Sequence, residues 1–233
     1  MQKLSVVIIT KNEEKHIKKA IQSALFADEV LILDSGSTDK TCDFAKELGA
    51  KVEYQEWLGF GRQKNKAVKL AGNDWVFVLD ADEKITAQLK DEIIETLKSP
   101  TSDGFYVARL NYFFGKGIKT CGLYPDYTIR LFNRNKGLFS NLPVHESVQI
   151  QGKVSKLKSH MEHMAYESID EFIAKQNHYS SLSTKKRNIL KALLSPLWTF
   201  FKLYFVKRGF LDGRHGFIIA VLYSQYTFWK YIK

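Results

Sequence analysis

The chain has 233 residues, 45% of them hydrophobic, and two cysteines. That is enough for one large domain, or one domain with an appendage, and it excludes a disulfide-stapled mini-scaffold. Thirty-five Lys and Arg against 25 Asp and Glu leave a net charge of +10, which implies a solvated basic surface or an anionic partner: nucleic acid, anionic lipid or a phosphorylated ligand.

Cys42 and Cys121 lie far apart and in no metal-binding spacing, as expected in a reducing compartment. The start, MQKLSVVIITKNEE, lacks the apolar stretch and small-residue cleavage site of a signal peptide. No window holds the roughly 18–20 clean apolar residues of a membrane span. The expected location is the cytoplasm.

Residues 4–10, LSVVIIT, read as a strand buried on both faces. Residues 13–27 switch to helical spacing, with Ile17, Ala20, Ile21, Ala24 and Leu25 on one face. EVLILD at 29–34 is a second buried strand ending in an acid. SGSTD is a turn with helix-cap chemistry, and the helix after it closes at Gly49, a suitable C′ glycine. KVEY is a short third strand, and residues 62–71 are helical. Residues 74–79 form a fourth strand that runs straight into Asp80, Asp82 and Glu83. Thr86 caps a helix whose apolar positions are Leu89, Ile93 and Leu97. Beyond Pro100, GFYVARLNYFFG and YTIRLFNR read as longer strands, and the span from Ile169 to about Leu194 returns to helix. ILKALLSPLWTFFKLYFVKRG is an aromatic-rich rod on which Lys191, Ser195, Thr199 and Lys202 form one polar stripe, with Pro196 kinking it or starting a new helix. A glycine-rich turn, GFLDGRHGF, leads to a final helix.

Strand–helix alternation at this density predicts an α/β fold with a mainly parallel sheet covered on both faces. Such sheets bind ligands beyond the carboxyl ends of their strands. Three polar clusters stand at such ends: Thr10 to Glu13, Asp34 to Asp39 and Asp80 to Glu83. Two carboxylates one residue apart at a strand end suit a hard divalent cation that also takes substrate phosphate oxygens. A solvated turn is the plainer alternative. A dinucleotide fold would need Gly-x-Gly-x-x-Gly after the first strand, where KNEE stands instead. The Asp-x-Asp of a haloacid-dehalogenase-type phosphatase belongs on the first strand, not the fourth.

SVVIITKNEE, LILDSGSTDKT, GFGRQKNKAV and NDWVFVLDADE, in this order and spacing, resemble the family 2 glycosyltransferases of GT-A fold. YPDYTIRLFNRNKGLFSNLPVHE at 124–146 and GFLDGRHGF at 209–217 narrow the resemblance to the bacterial lipopolysaccharide-core β-glucosyltransferase subgroup. The resemblance implies an inverting transferase that takes a UDP-sugar, with glucose as the sugar, and uses Mn²⁺ or Mg²⁺. It implies that Thr10, Asn12 and Glu13 hold base and ribose, that Asp34 reads uracil, and that Arg62, Lys64 and Asn65 face ribose and diphosphate. Asp80 would contact ribose, or the metal through water, Asp82 would be the direct metal ligand, and His163 a further one. Arg130 would meet phosphate. An inverting enzyme needs a carboxylate to take the acceptor's proton: Glu146 in Val-His-Glu is the first choice and Asp126 in Tyr-Pro-Asp the second, each with a plainer reading as a surface acid or turn residue. Glu83 has no assigned chemistry, and a local structural role is the expectation for it.

The implied partners are a UDP-sugar donor and a glycolipid acceptor, with a polyprenyl-linked or capsular glycan as the alternative acceptor. The expected organisation is a glycosyltransferase domain over 1–188, with a nucleotide-sugar half at 1–100 and an acceptor half at 101–188, and a helical extension at 189–233. That extension packs on the domain or lies in the plane of a membrane, peripheral on the cytoplasmic face of the inner membrane, with basic residues near anionic headgroups; the two are compatible, since a helix can face the core on one side and lipid on the other. No nucleic-acid partner is expected, because charge is the sole feature favouring a basic binding module.

Overall fold

The computed structural model describes residues 1–140, 147–181 and 187–233. The chain forms two compact units, one of residues 1–109 and 127–163, the other of residues 110–126 and 164–233.

The first unit opens with a βαβ series. Strand β1 (Leu4–Thr10) is followed by α1 (Ile17–Ala24), β2 (Glu29–Asp34), α2 (Thr41–Glu47), β3 (Lys51–Tyr54), α3 (Phe60–Leu70) and β4 (Trp75–Asp80). β1 pairs in parallel with β2 on one side and β4 on the other, and β3 joins β2 in parallel. Period-two alternation sorts the side chains. Val6, Ile8, Phe77 and Leu79 pack on one face with Ile17 and Ile21 of α1. Val7, Ile9, Val76 and Val78 pack on the other with Ala67 and Val68 of α3. Each such side chain, removed from water, contributes about 1.5–3 kcal/mol. Because both faces are covered, β1 and β4 read as unbroken apolar runs.

After β4 come β5 (Glu83–Ile85) and α4 (Ala87–Lys98), whose Leu89, Ile93 and Leu97 join the first core. Thr86 Oγ1 accepts the Leu89 N–H at 3.2 Å, the expected cap. Gly49 takes φ +79° just past Leu48, the C-cap of α2, as its placement predicted. The α1 helix is shorter than expected: it ends at Ala24, and Leu25 is exposed. β6 (Gly104–Phe113) and β8 (Asp126–Asn133) are the long strands anticipated after Pro100, and β8 runs antiparallel to β4. β11 (Val154–Tyr166) pairs antiparallel with β5, and β9 (Gly137–Phe139) with β10 (Val148–Ile150) form a small ribbon.

The second unit contains the short β7 (Lys116–Gly117), α5 (Ile169–Ser181), α6 (Ile189–Phe201), a π-helical turn over Lys202–Val206, a 3₁₀ turn over Gly209–Asp212, and α7 (Arg214–Ile232). Phe113, Ile118, Phe172, Ile219 and Leu222 make its core. The α6 helix runs on through Pro196. Together with the π turn it gives an 18-residue helical rod, Ile189–Val206, long and apolar enough to cross a membrane by length and composition. This corrects the expectation that no such window exists: Lys191 and Lys202 break the apolar run but leave its mean high.

The GFLDGRHGF segment is a knot. The Asp212 carboxylate accepts from Thr120 N–H (3.2 Å) and Oγ1 (2.6 Å) and pairs with Lys116 at 3.3 Å. Gly209 and Gly216 lie so close that a Cβ on Gly216 would sit 1.8 Å from the Gly209 carbonyl oxygen. Backbone on both sides leaves no room to yield. Gly216→Ala is expected to cost about 2–3 kcal/mol, read as a lowered denaturation midpoint, whereas a wild-type midpoint would disprove the contact.

Candidate active site

Register places the strand-end clusters side by side. Thr10 pairs with Asp34 across β1 and β2, and Ile9 pairs with Asp80 across β1 and β4. The three polar groups singled out in the sequence therefore leave the sheet together, at the carboxyl ends of three adjacent strands.

Two of the clusters are knitted together. The Asp34 carboxylate, buried at 4% exposure, accepts the Gly36 and Ser37 N–H groups at 2.8 Å each and the Ser37 hydroxyl at 2.5 Å. Asn12, at φ +55°, accepts the Thr38 N–H on Oδ1 at 2.8 Å and gives its own N–H to Ser37 Oγ at 2.8 Å. The Glu13 N–H reaches Thr41 Oγ1 at 2.8 Å. These bonds fix the loops after β1 and β2 as one surface. Beside them, Thr10 Oγ1 is buried with no hydrogen-bond partner among the described residues, an unusual state for a hydroxyl.

The third cluster is ionic. Asp80 pairs with Lys64 Nζ at 3.0 Å and Arg130 Nη2 at 2.8 Å. The same Arg130 nitrogen lies 2.5 Å from Glu83 Oε1, and its Nη1 donates to the Val78 carbonyl at 3.3 Å. Glu83, fully buried, also accepts the Asp80 N–H at 3.0 Å and lies 3.7 Å from Arg109. Burial works to raise the Asp80 carboxyl, but the charges of Arg130 and Lys64 overcome it and hold that group well below the ordinary carboxylate range. At Glu83 burial dominates and Asp80 adds to it, so its carboxyl is pushed up. Arg130 is held still more firmly protonated, its two carboxylate partners outweighing its burial.

Asp82 turns the other way. Its Oδ2 lies 3.4 Å from His163 Nε2, and both side chains are partly open to solvent. His163 is brought there because β11 pairs with β5 in the register His163↔Glu83. Burial disfavours the imidazolium, but the hydrogen bond and charge of Asp82 raise the His163 pKa above its ordinary value.

A divalent ion fits this pair. Two adjacent ligands of an octahedral ion lie about 3 Å apart, close to the observed separation, and a carboxylate with an imidazole is a donor set that Mn²⁺ accepts. Among the described residues no group of three or more His, Cys, Asp and Glu assembles to hold a metal, so substrate and water oxygens would complete the shell.

The GFGRQKNKAV segment divides its roles. Lys64 joins the acids, and Arg62 is exposed at the same helix start. The Asn65 carboxamide is instead committed to the Phe139 backbone, donating to its C=O at 2.9 Å and accepting its N–H at 2.8 Å; it is a brace for β9. Gln63, fully buried, ties Ser35 Oγ (2.9 Å) to the Gln55 carbonyl (3.1 Å). Asp126 begins β8 and belongs to the second unit, where its charge helps raise the Tyr223 phenol, mainly a result of burial. Glu146 lies outside the described residues.

Sequence reasoning missed Arg109 and Gln63, and for Glu83 expected a structural role without naming its partners. An arginine inside the apolar strand GFYVARLNYF was the available signal for Arg109, and the place of Gln63 within GFGRQKNKAV was the signal for that residue.

Comparison with known proteins agrees with this geometry. Residues 5–148 match the model of glycosyl transferase family 2. An uncharacterized glycosyltransferase of Rickettsia typhi is 34% identical over 253 residues, covering 100% of this chain and 87% of the relative. The lipopolysaccharide core biosynthesis glycosyltransferase LpsC of Rhizobium meliloti is 32% identical over 240 residues, covering 97% and 89%. In fold, the chain is similar to the crystal structure of S. aureus TarS 1-349, with a TM-score of 0.53 and 18% identity over 97% of this chain and 88% of that one. A family match across more than half the length, on a GT-A-like sheet with polar strand ends in register, means that the chain belongs to glycosyl transferase family 2 and is a glycosyltransferase.

Proposed function

We propose that the enzyme is an inverting, divalent-cation-dependent transferase that moves glucose from UDP-glucose to a saccharide of the lipopolysaccharide inner core. The observation that carries this reading is the convergence of Thr10, Asp34 and the Asp80–Asp82–His163 group at neighbouring strand ends. The similarity to a lipopolysaccharide core transferase supports the acceptor class. Such an acceptor is a glycolipid, which puts the enzyme at the cytoplasmic face of the inner membrane.

In this reading the knitted loops of Asn12, Glu13 and Asp34 form the floor under base and ribose, and the unpartnered Thr10 hydroxyl takes a hydrogen bond from the nucleotide side. Arg62 and Lys64 face the diphosphate. Asp80, held ionised by Lys64 and Arg130, meets the ribose. Asp82 and His163 hold Mn²⁺ or Mg²⁺, which when bound neutralises the diphosphate as a leaving group. The acceptor oxygen attacks the anomeric carbon, the carbon–phosphate-oxygen bond breaks, and the acceptor proton passes to a carboxylate. Glu146 is the first candidate for that base and Asp126 the second.

A thermal-shift panel tests the donor. UDP-glucose with Mn²⁺ should raise the midpoint most, since a ligand at 100 times its Kd adds about 2.7 kcal/mol; no shift with any nucleotide sugar would overturn the reading. Glu146→Gln should keep that shift and lose transfer by about 10²–10⁴-fold. If Asp126→Asn loses transfer and Glu146→Gln does not, the base is Asp126.

A further inference from the structure

The α6 helix is inside out for a helix in water. Leu190, Leu193, Leu194, Leu197, Trp198 and Phe201 are all exposed, Leu197 at 69% and Trp198 at 61%. At 3.6 residues per turn they fill one arc of about 140°. The opposite side faces α7, and it carries the polar and small groups. Thr199 Oγ1 meets Thr227 Oγ1 at 3.2 Å, the Pro196 carbonyl accepts from Ser224 Oγ at 2.7 Å, and Ala192 is fully buried. Part of the polar stripe expected from the sequence is therefore turned inward, and the apolar stripe outward. An exposed stripe of this size in a monomer marks a surface that something covers.

Charge says what covers it. Between Arg187 and Lys233 stand eight Lys and Arg and one acid, Asp212, and that acid is bound to Lys116 and Thr120. Most of the chain's surplus of +10 thus lies in its last fifth. Lys191 and Lys202 lie along one border of the apolar arc, both exposed, and Lys207 and Arg208 follow the rod. Lysines at the edge of an apolar face can lay their stems on it and lift their ammonium groups to headgroup level.

We infer that this face of α6 is a monotopic docking surface for an anionic bilayer. The helix lies in the membrane plane with Leu194, Leu197, Trp198 and Phe201 in the acyl boundary and the bordering lysines among the phosphates. Crossing the bilayer is disfavoured although the Ile189–Val206 rod has the length. Its partner α7 is anchored by Ile219 and Leu222 in a core with Phe113, Ile118 and Phe172, and pulling the pair through the membrane would dismantle that core. The inference rests on the proposed function only for which membrane is meant; vesicle binding needs neither donor nor acceptor.

The test is co-sedimentation of the full chain with vesicles of phosphatidylcholine alone and with added phosphatidylglycerol, without nucleotide. Binding should require the anionic lipid and weaken with salt. Leu194→Gln with Leu197→Gln should lower the partition at least about tenfold and leave UDP-sugar thermal shifts unchanged. Lys202→Glu with Arg208→Glu alters only exposed groups, and decides the matter if the first pair misfolds: it should lose the preference for anionic vesicles. Equal binding by wild type and both variants overturns the inference. So does a wild-type dimer that becomes a monomer in the Leu194/Leu197 variant with no vesicle binding by either, since a second copy then covers the stripe. Retention of the protein in cell membranes after alkaline carbonate extraction overturns the in-plane geometry in favour of a span.

Discussion

Asp82→Asn is expected to lower kcat/KM for sugar transfer by about 10³-fold, roughly 4 kcal/mol of transition-state stabilisation, with almost no change in the thermal midpoint. The two halves of this result have one cause. Asp82 is the acid of the three that the fold does not use. Its side chain is 30% exposed and sits beside His163, whereas Asp80 and Glu83 are tied to Arg130. Removing its charge breaks no buried pair, so the stability cost stays within about 1 kcal/mol. An amide oxygen is nearly isosteric with the carboxylate but a far weaker ligand for a hard cation. Transfer measured across a series of Mn²⁺ concentrations, beside a melting curve, separates the effects. Turnover within threefold of wild type would remove Asp82 from the metal site. Asp80→Asn should show the opposite pattern, losing stability as well as activity, because Lys64 and Arg130 then lose their shared partner.

The difference between these neighbours shows where sequence reading succeeds and stops. The strands β1, β2 and β4 were legible because burial on both faces writes a continuous apolar run, and their polar ends follow from the chemistry of parallel sheets. The caps at Thr86 and Gly49 were legible because the signal is local. Glu83 was not. Nothing within ten residues of it says that it will be buried, and its partner Arg130 is 47 residues away. The same holds for Asn65, whose amide answers Phe139 at a separation of 74. The α6 stripe was legible as a pattern but not in its sense: periodicity finds two faces, and only packing against Thr227 and Ser224 decides which one turns inward. β11 was missed altogether, a long strand with a mixed burial pattern and no clean alternation.

Arg130→Met is the variant expected to damage the fold most, at about 3–5 kcal/mol. One guanidinium nitrogen serves both Asp80 and Glu83, while the other holds the Val78 carbonyl. Without it Glu83, at 1% exposure, becomes a buried carboxylate beside a second one, with Arg109, 3.7 Å away, left to face it. Arg130→Lys should recover little, since a single ammonium cannot reproduce the planar fork that reaches three acceptors. The informative variant is the double one. Glu83→Gln removes the buried charge that Arg130 balances, so if the pairing is the cause, Arg130→Met with Glu83→Gln should be distinctly less unstable than the sum of the single changes. Urea denaturation of the four proteins gives the coupling directly. Simple additivity would mean that Arg130 acts by filling volume, and the ionic account of the Asp80–Glu83 turn would then fail, taking with it the reason Asp80 is held ionised at the strand end where the nucleotide is proposed to bind.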